Sequence, residues 1–246
     1  GHSAEILRRL SGVGHLIAFD MDPNIVQMAR SLERADPRFQ FHHRPHGDFV
    51  QVVDPDTPNL YGVLLDLGPQ LPPSPMTGSS VVVEDGPLDL RVNPCYGIPA
   101  WHWLQTVSAQ ELAWVIHEYG EDYDVLLAQR LAEAILEHQQ RLGAYRSVRE
   151  LAEVCREVKQ GVDDRGQHPA KLTLQAIRSF LNHEVEQLYF AMKGALERMA
   201  PGGRLVVITY KRKEAVQVKR FLREHEAPDT RFADFVTRQR LAELYP

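Results

Sequence analysis

The run Leu16-Ile17-Ala18-Phe19-Asp20-Met21-Asp22-Pro23 sets the fold. Four apolar residues closed by an acid read as a short buried strand ending at Asp20. Asp22 then serves as a helix N-cap, and Pro23 takes the first helical position, where its missing N–H costs nothing. The helix that follows carries Ile25, Met28, Ala29 and Leu32. Outward from this unit the rhythm repeats. Phe39-Gln40-Phe41-His42 alternates as a strand does, and Tyr61-Gly62-Val63-Leu64-Leu65-Asp66 is a further buried strand ending in an acid. Strands alternating with helices predict an α/β fold with a parallel sheet, which binds ligands at the carboxyl ends of its strands. Asp20 and Asp66 mark two such ends.

Ahead of this region, Gly1-His2-Ser3 reads as a glycine turn feeding an amphipathic helix from Ala4 to Leu10. Such a turn normally follows a strand, so a strand is expected upstream of Gly1. Proline, serine and glycine crowd residues 69–87, which reads as a long loop. Helical patterns cover 109–119, 124–140, 148–159 and 172–198, with a loop at 163–166. The turn Pro201-Gly202-Gly203 leads to a strand over 205–210, and 214–224 is a closing helix. A sheet domain interrupted by a helical insertion is the simplest architecture. A chain of 246 residues is long enough for it.

The net charge of −5 argues against general electrostatic binding of nucleic acid and leaves room only for a local basic patch. Cys95 and Cys155 lie too far apart for a disulfide framework or a metal spacing. No apolar run is long enough to span a bilayer, so no membrane partner is expected.

Asp20 stands about 20 residues past the glycine turn, the spacing at which an acid meets ribose hydroxyls in nucleotide-type folds. A turn or capping acid is the competing reading. Asp66 ends the strand whose tip faces the reacting centre in such folds, and Leu67-Gly68 let the backbone approach a ligand. Phe49, after Gly47-Asp48, either stacks on an adenine or fills the core. His42, His43 and His46 invite a metal, but neighbouring strand residues point to opposite faces and no acid or cysteine completes a set, so no metal is expected. Gln175, Arg178 and Asn182 share one helix face. Lys211-Arg212-Lys213 with Lys219, Arg220 and Arg223 either meets phosphates or forms a solvated face. Trp101 and Trp103 either stack on a base or pack the insertion.

Several of these pieces, taken in order, resemble the MraW/RsmH family of S-adenosylmethionine-dependent methyltransferases, which act on N4 of a cytidine in small-subunit ribosomal RNA. The matching residues are Gly1-His2-Ser3 with Ile6-Leu7, Phe19-Asp20-Met21-Asp22-Pro23, Leu64-Leu65-Asp66-Leu67-Gly68 and Asp85-Gly86-Pro87-Leu88-Asp89-Leu90-Arg91. Tyr119-Gly120-Glu121, His168-Pro169-Ala170, Gln175-Ala176-Ile177-Arg178 with Asn182, and Pro201-Gly202-Gly203-Arg204-Leu205 complete the set. The resemblance implies a Rossmann-like class I methyltransferase sheet over 1–90 and 181–246, and a helical insertion domain over 91–180. It implies S-adenosylmethionine held by Gly1, His2, Asp20, Phe49, Asp66 and Gln70, with Asp66 catalytic. Arg178, Asn182 and Lys211 are the expected substrate contacts. The implied partners are ribosomal RNA and an assembly intermediate of the small subunit, with a homodimer or a heterodimer with a paralogue as an option. The mitochondrial matrix is the expected location, with a bacterial-type cytoplasm as the alternative.

The departures from the family pattern gather at the pocket. A Val-Ser-Ser between Gly68 and Pro69 is missing, and the family's Phe-His-Ser-Leu-Glu-Asp reads Tyr210-Lys211-Arg212-Lys213-Glu214-Ala215. An apolar framework kept while polar edges change points to a second reading. In it the chain is a catalytically degenerate member that serves as a small-subunit assembly factor and has lost the cofactor.

Overall fold

The structure, a computed structural model, describes residues 1–54, 60–68, 86–120, 124–160, 168–226 and 240. The chain forms two compact units, Gly1–His46 with Leu71–Glu184, and Gly47–Gln70 with Val185–Pro246. The expected loop at 69–87 lies almost wholly outside the described residues, as does the loop at 163–166.

In the first unit, α1 (His2–Arg9) is followed by β1 (Leu16–Phe19), α2 (Val26–Ala35) and β2 (Phe39–His42). The two strands pair in parallel, from Leu16 opposite Phe39 to Phe19 opposite His42. Phe39 and Phe41 are buried with Leu7 and Ala29, while Gln40 between them is exposed, as a period of two requires. Asp22 caps a short 3-10 turn, Pro23–Ile25, by accepting the Asn24 N–H at 2.8 Å, and α2 follows. Arg38 closes the other end of the motif. Its guanidinium donates to the carbonyl oxygens of Leu7, Leu10 and Ser11 at 3.0–3.3 Å, which ties down the end of α1 and the turn after it. It also pairs with Asp36 at 2.6 Å, and that contact holds the Asp36 carboxyl down at about 2.

Among its described residues the same unit contains five further helices: α4 (Ala100–Trp103), α5 (Ala109–Tyr119), α6 (Val125–Leu142), α7 (Val148–Val158) and α8 (Lys171–Leu181). Ser108, Asp124 and Ser147 cap α5, α6 and α7, each accepting a backbone N–H three residues on. Their apolar faces meet in a core that fully buries Leu112, Ile116, Leu131, Ile135, Leu151 and Ile177. Gly120 ends α5 where a Cβ would lie 2.5 Å from the Leu172 oxygen and 2.9 Å from the Ala176 methyl, so the close approach of α5 and α8 requires glycine there. Trp103 is buried, 5.2 Å from the Phe180 ring, and packs the helices together. Trp101 is 38% exposed and lies on His102.

The single helix expected over 172–198 is two helices. Helix α8 ends at Leu181, His183 adopts a left-handed φ of +52°, and α9 (Glu184–Arg198) starts afresh. The backbone turns at His183, while the Asn182 side chain, still bonded to the Arg178 carbonyl of α8, also reaches a distant loop, described below.

The second unit contains α3 (Phe49–Val52), β3 (Leu60–Asp66), most of α9, β4 (Met199–Ile208) and α10 (Arg212–Glu226). Strands β3 and β4 are parallel, with Asp66 opposite Ile208. Leu60 faces Met199 while Gly62 faces Arg204, so the expected Pro-Gly-Gly turn is a bulge within the strand, with Gly202 at φ +80°. The strand therefore starts earlier than 205 and stops short of Tyr210. Gly194 of α9 lies so close to α3 that a Cβ would overlap Val50 and sit 3.0 Å from the Phe49 ring. Helix α10 is tied to α9 by Gln217, whose side-chain N–H donates to the Val185 oxygen at 2.6 Å. Among the described residues no helix is long and apolar enough to cross a membrane.

Candidate functional site at the strand tips

Asp20 follows β1 directly, and its backbone N–H donates to the His42 oxygen at 3.3 Å. Its side-chain Oδ1 accepts the Asp22 N–H at 2.8 Å. Burial pushes the half-buried Asp20 carboxyl above its ordinary value, and that hydrogen bond works against the rise. Across the turn, His43 Nε2 lies 3.0 Å from the Met21 oxygen and 3.2 Å from Asn93 Nδ2. Asn93 is buried, and its Oδ1 accepts the Cys95 N–H at 2.9 Å.

Asn93 belongs to a loop that is built from within. Asp89 and Arg91 form a two-pronged ion pair at 2.6 and 2.8 Å, which holds the Asp89 carboxyl below its usual range. Arg91 also donates to the Pro94 and Gly97 oxygens. Leu90 between the pair sits at φ +61°, a region that non-glycine residues rarely occupy. Asn182 supports it from the end of α8. Its Nδ2 donates to the Leu90 oxygen at 2.9 Å and to the Arg178 oxygen at 2.7 Å, and its Oδ1 accepts the Val92 N–H at 2.7 Å. Both amide protons of Asn182 are thus used within the protein. Burial pulls the Arg178 guanidinium below its ordinary value, against the favourable charges of Glu184 and Asp22. The first unit therefore gathers the Asp20–Asp22 turn, the loop around Asn93, and Arg178 with Asn182. Gln175 is half-buried on the same helix.

In the second unit Asp66 ends β3, exposed, and the Leu67 N–H donates to the Ile208 oxygen at 3.1 Å. Tyr210 lies two residues past Ile208. The nearby charge of Asp66, and a hydrogen bond to it, hold the Tyr210 phenol above its ordinary value. Glu214 accepts the N–H groups of Tyr210 and Lys211 at 3.0 and 3.1 Å, and its other oxygen lies 3.6 Å from Lys211 Nζ. Phe49 is buried against α9. Gln70 lies outside the described residues.

Gly1 is the N-cap of α1 and His2 its first residue, both exposed. On α10, Arg220 pairs with Glu224 at 2.8 Å on an exposed face. His42 stacks on Phe19, ring centroids 5.0 Å apart, and His43 turns instead to the Met21 carbonyl. Among the described residues no three His, Cys, Asp or Glu side chains gather as a metal set. A cleft of about 180 Å³ between α6 and α7, lined by Glu137, His138, Arg141 and Glu157, contains none of these residues. Sequence reasoning missed Asn93 and the link through His43. The one local signal was the Asn93-Pro94 pair, which marks a turn.

Parallel strands with acids at their carboxyl ends define an α/β protein of the kind that binds nucleotide-like cofactors at strand tips. The chain belongs to the MraW methylase family, whose model matches residues 1–240. The fold is accordingly Rossmann-like, and the methyltransferases of this RNA-methylating family use S-adenosylmethionine.

Proposed function

We propose that this chain methylates N4 of a cytidine in small-subunit ribosomal RNA, using S-adenosylmethionine. Family membership supports the reading, and Asp20 at the tip of β1 is the observation that carries it. A half-buried carboxylate with one oxygen bound to a backbone N–H suits a neutral diol that donates two O–H groups. The residues present therefore fit the ribose of the cofactor.

In this reading Asp20 binds the ribose, while the Gly1-His2 turn, Phe49, Asp66 and Gln70 complete the cofactor set. When bound, S-adenosylmethionine supplies an electrophilic methyl group on a sulfonium. Asp66 orients the N4 amine and accepts its proton, which counters delocalisation of the nitrogen lone pair into the ring. The cytidine must leave its stack to be reached. Arg178 holds the base or a neighbouring phosphate, Asn182 acts by shaping the loop around Leu90 and Val92, and Lys211 meets the RNA backbone. Residues 1–90 and 181–246 constitute the methyltransferase domain and 91–180 its helical insertion. The partner is an assembly intermediate of the small subunit, in the mitochondrial matrix, with dimerisation on a paralogue as an option.

The altered stretch after β4, Tyr210-Lys211-Arg212-Lys213, favours the second reading, a non-catalytic assembly factor; there Lys211 Nζ lies 3.6 Å from Glu214. Calorimetry with S-adenosylmethionine and methyl transfer to a small-subunit RNA fragment separate the two. Micromolar binding, with transfer abolished by Asp66→Ala, is expected of the enzyme. RNA binding without cofactor binding supports the assembly factor, and unchanged turnover in Asp66→Ala removes Asp66 from the mechanism.

A further inference from the structure

We infer that His43 is a positioning residue for the cofactor acid, acting on Asp20 through the Met21–Asp22 peptide. The inference rests on the reading of Asp20 as the ribose acceptor. The Met21 carbonyl and the Asp22 N–H belong to one planar peptide unit. Its oxygen lies 3.0 Å from His43 Nε2, and its N–H donates to Asp20 Oδ1 at 2.8 Å. A carbonyl oxygen only accepts, so Nε2 carries the proton in this contact. Holding one end of a rigid plane aims the other. His43 thereby fixes the N–H that orients the Asp20 carboxylate.

Asn93 sets the limits of this grip. Its Oδ1 is committed to the Cys95 N–H at 2.9 Å, which turns its Nδ2 donor towards the same His43 nitrogen at 3.2 Å. One ring nitrogen cannot donate to Met21 and accept from Asn93 at once. The two contacts compete, and the shorter one holds Met21. Asn93 sits in the loop that Asn182 braces through Leu90 and Val92. The position of that loop therefore sets how closely Asn93 competes for the His43 nitrogen, and so how firmly His43 holds the Met21 carbonyl. No residue in this chain of contacts needs to touch the cofactor other than Asp20.

The test compares the wild-type protein with His43→Ala, which has no donor, and His43→Gln, which keeps an amide N–H. Nitrogen-15 NMR of the wild-type imidazole is expected to show the proton on Nε2; a proton found only on Nδ1 overturns the proposal without any substitution. Hydrogen exchange at the Asp22 amide, measured without ligand, should quicken about tenfold in His43→Ala and recover in His43→Gln. S-Adenosylmethionine affinity by calorimetry should fall about tenfold and recover in the same order. Unchanged Asp22 exchange in His43→Ala sinks the inference, as does unchanged affinity where the wild type binds. If the wild type takes no S-adenosylmethionine, the cofactor reading of Asp20 fails, and the exchange and NMR measurements still decide the role of His43.

Discussion

The side-chain oxygen of Asn182 accepts the backbone N–H of Val92 at 2.7 Å, across 90 residues of chain. That bond, with the one from Asn182 to Leu90, holds a leucine in left-handed backbone and ends α8. Asn182 is 7% exposed, and truncation leaves the part-buried Leu90 carbonyl and Val92 N–H without this partner. Asn182→Ala should cost about 1–3 kcal/mol in urea unfolding, since two part-buried backbone groups lose their bonds.

Asp20 sets binding against stability. Its carboxyl is raised by burial, so the fold favours the protonated form. A raised folded value means the group contributes more stability as the pH falls towards the carboxylate range, and less above it. Asp20→Asn keeps an oxygen for the Asp22 N–H and removes the buried charge. Denaturation at pH 8 should show the variant at least as stable as wild type, with the advantage shrinking as the pH falls into the range where Asp20 takes up its proton. Its affinity for S-adenosylmethionine should fall about tenfold or more, because a charged acceptor is lost.

Asp36 behaves in the opposite sense. Its folded value of about 2 lies below the ordinary carboxylate value of about 3.9. Its contribution is complete above that ordinary value and disappears as the pH falls through about 2. Arg38→Gln should remove this part of the acid dependence and fray the end of α1, where Arg38 caps three carbonyls. Acid titration followed by far-ultraviolet circular dichroism checks both effects.

Gly120 marks a close approach of α5 and α8 in the helical core. A methyl group there meets a backbone oxygen at 2.5 Å, which cannot swing aside as a side chain would. Gly120→Ala should destabilise by about 1–3 kcal/mol, as overpacking does, and chemical denaturation measures it.

Tyr210 reports on Asp66. The carboxylate holds the phenol above its ordinary value, so difference titration against Tyr210→Phe should place this tyrosine above an unperturbed one. Asp66→Asn should bring it down. A phenol that ignores the substitution means the two side chains do not meet at the ends of β3 and β4.

Strands β1 to β3, the acids Asp20 and Asp66 and most helix limits were legible because each rests on neighbours in sequence. Leu16–Phe19 and Phe39–His42 pair as their apolar patterns require, and Asp22-Pro23 opens the turn before α2 as its capping chemistry dictates. Ser108, Asp124 and Ser147 start α5, α6 and α7 within a residue of the positions read from periodicity.

Tertiary structure alone settled the rest. The pattern over 172–198 has no proline or glycine at its centre, and the pair Asn182-His183 is only a weak local sign of the break that the left-handed His183 makes. Trp101 and Trp103 are alike in sequence, yet only Trp103 meets Phe180 and is buried. His43 read as one of three histidines, and its role at Asp20 emerged only when folding set it against the Met21 carbonyl. Period and capping are properties of adjacent residues. Which partner a polar side chain finds depends on segments that meet only once the core has closed, and no pattern along the chain encodes that meeting.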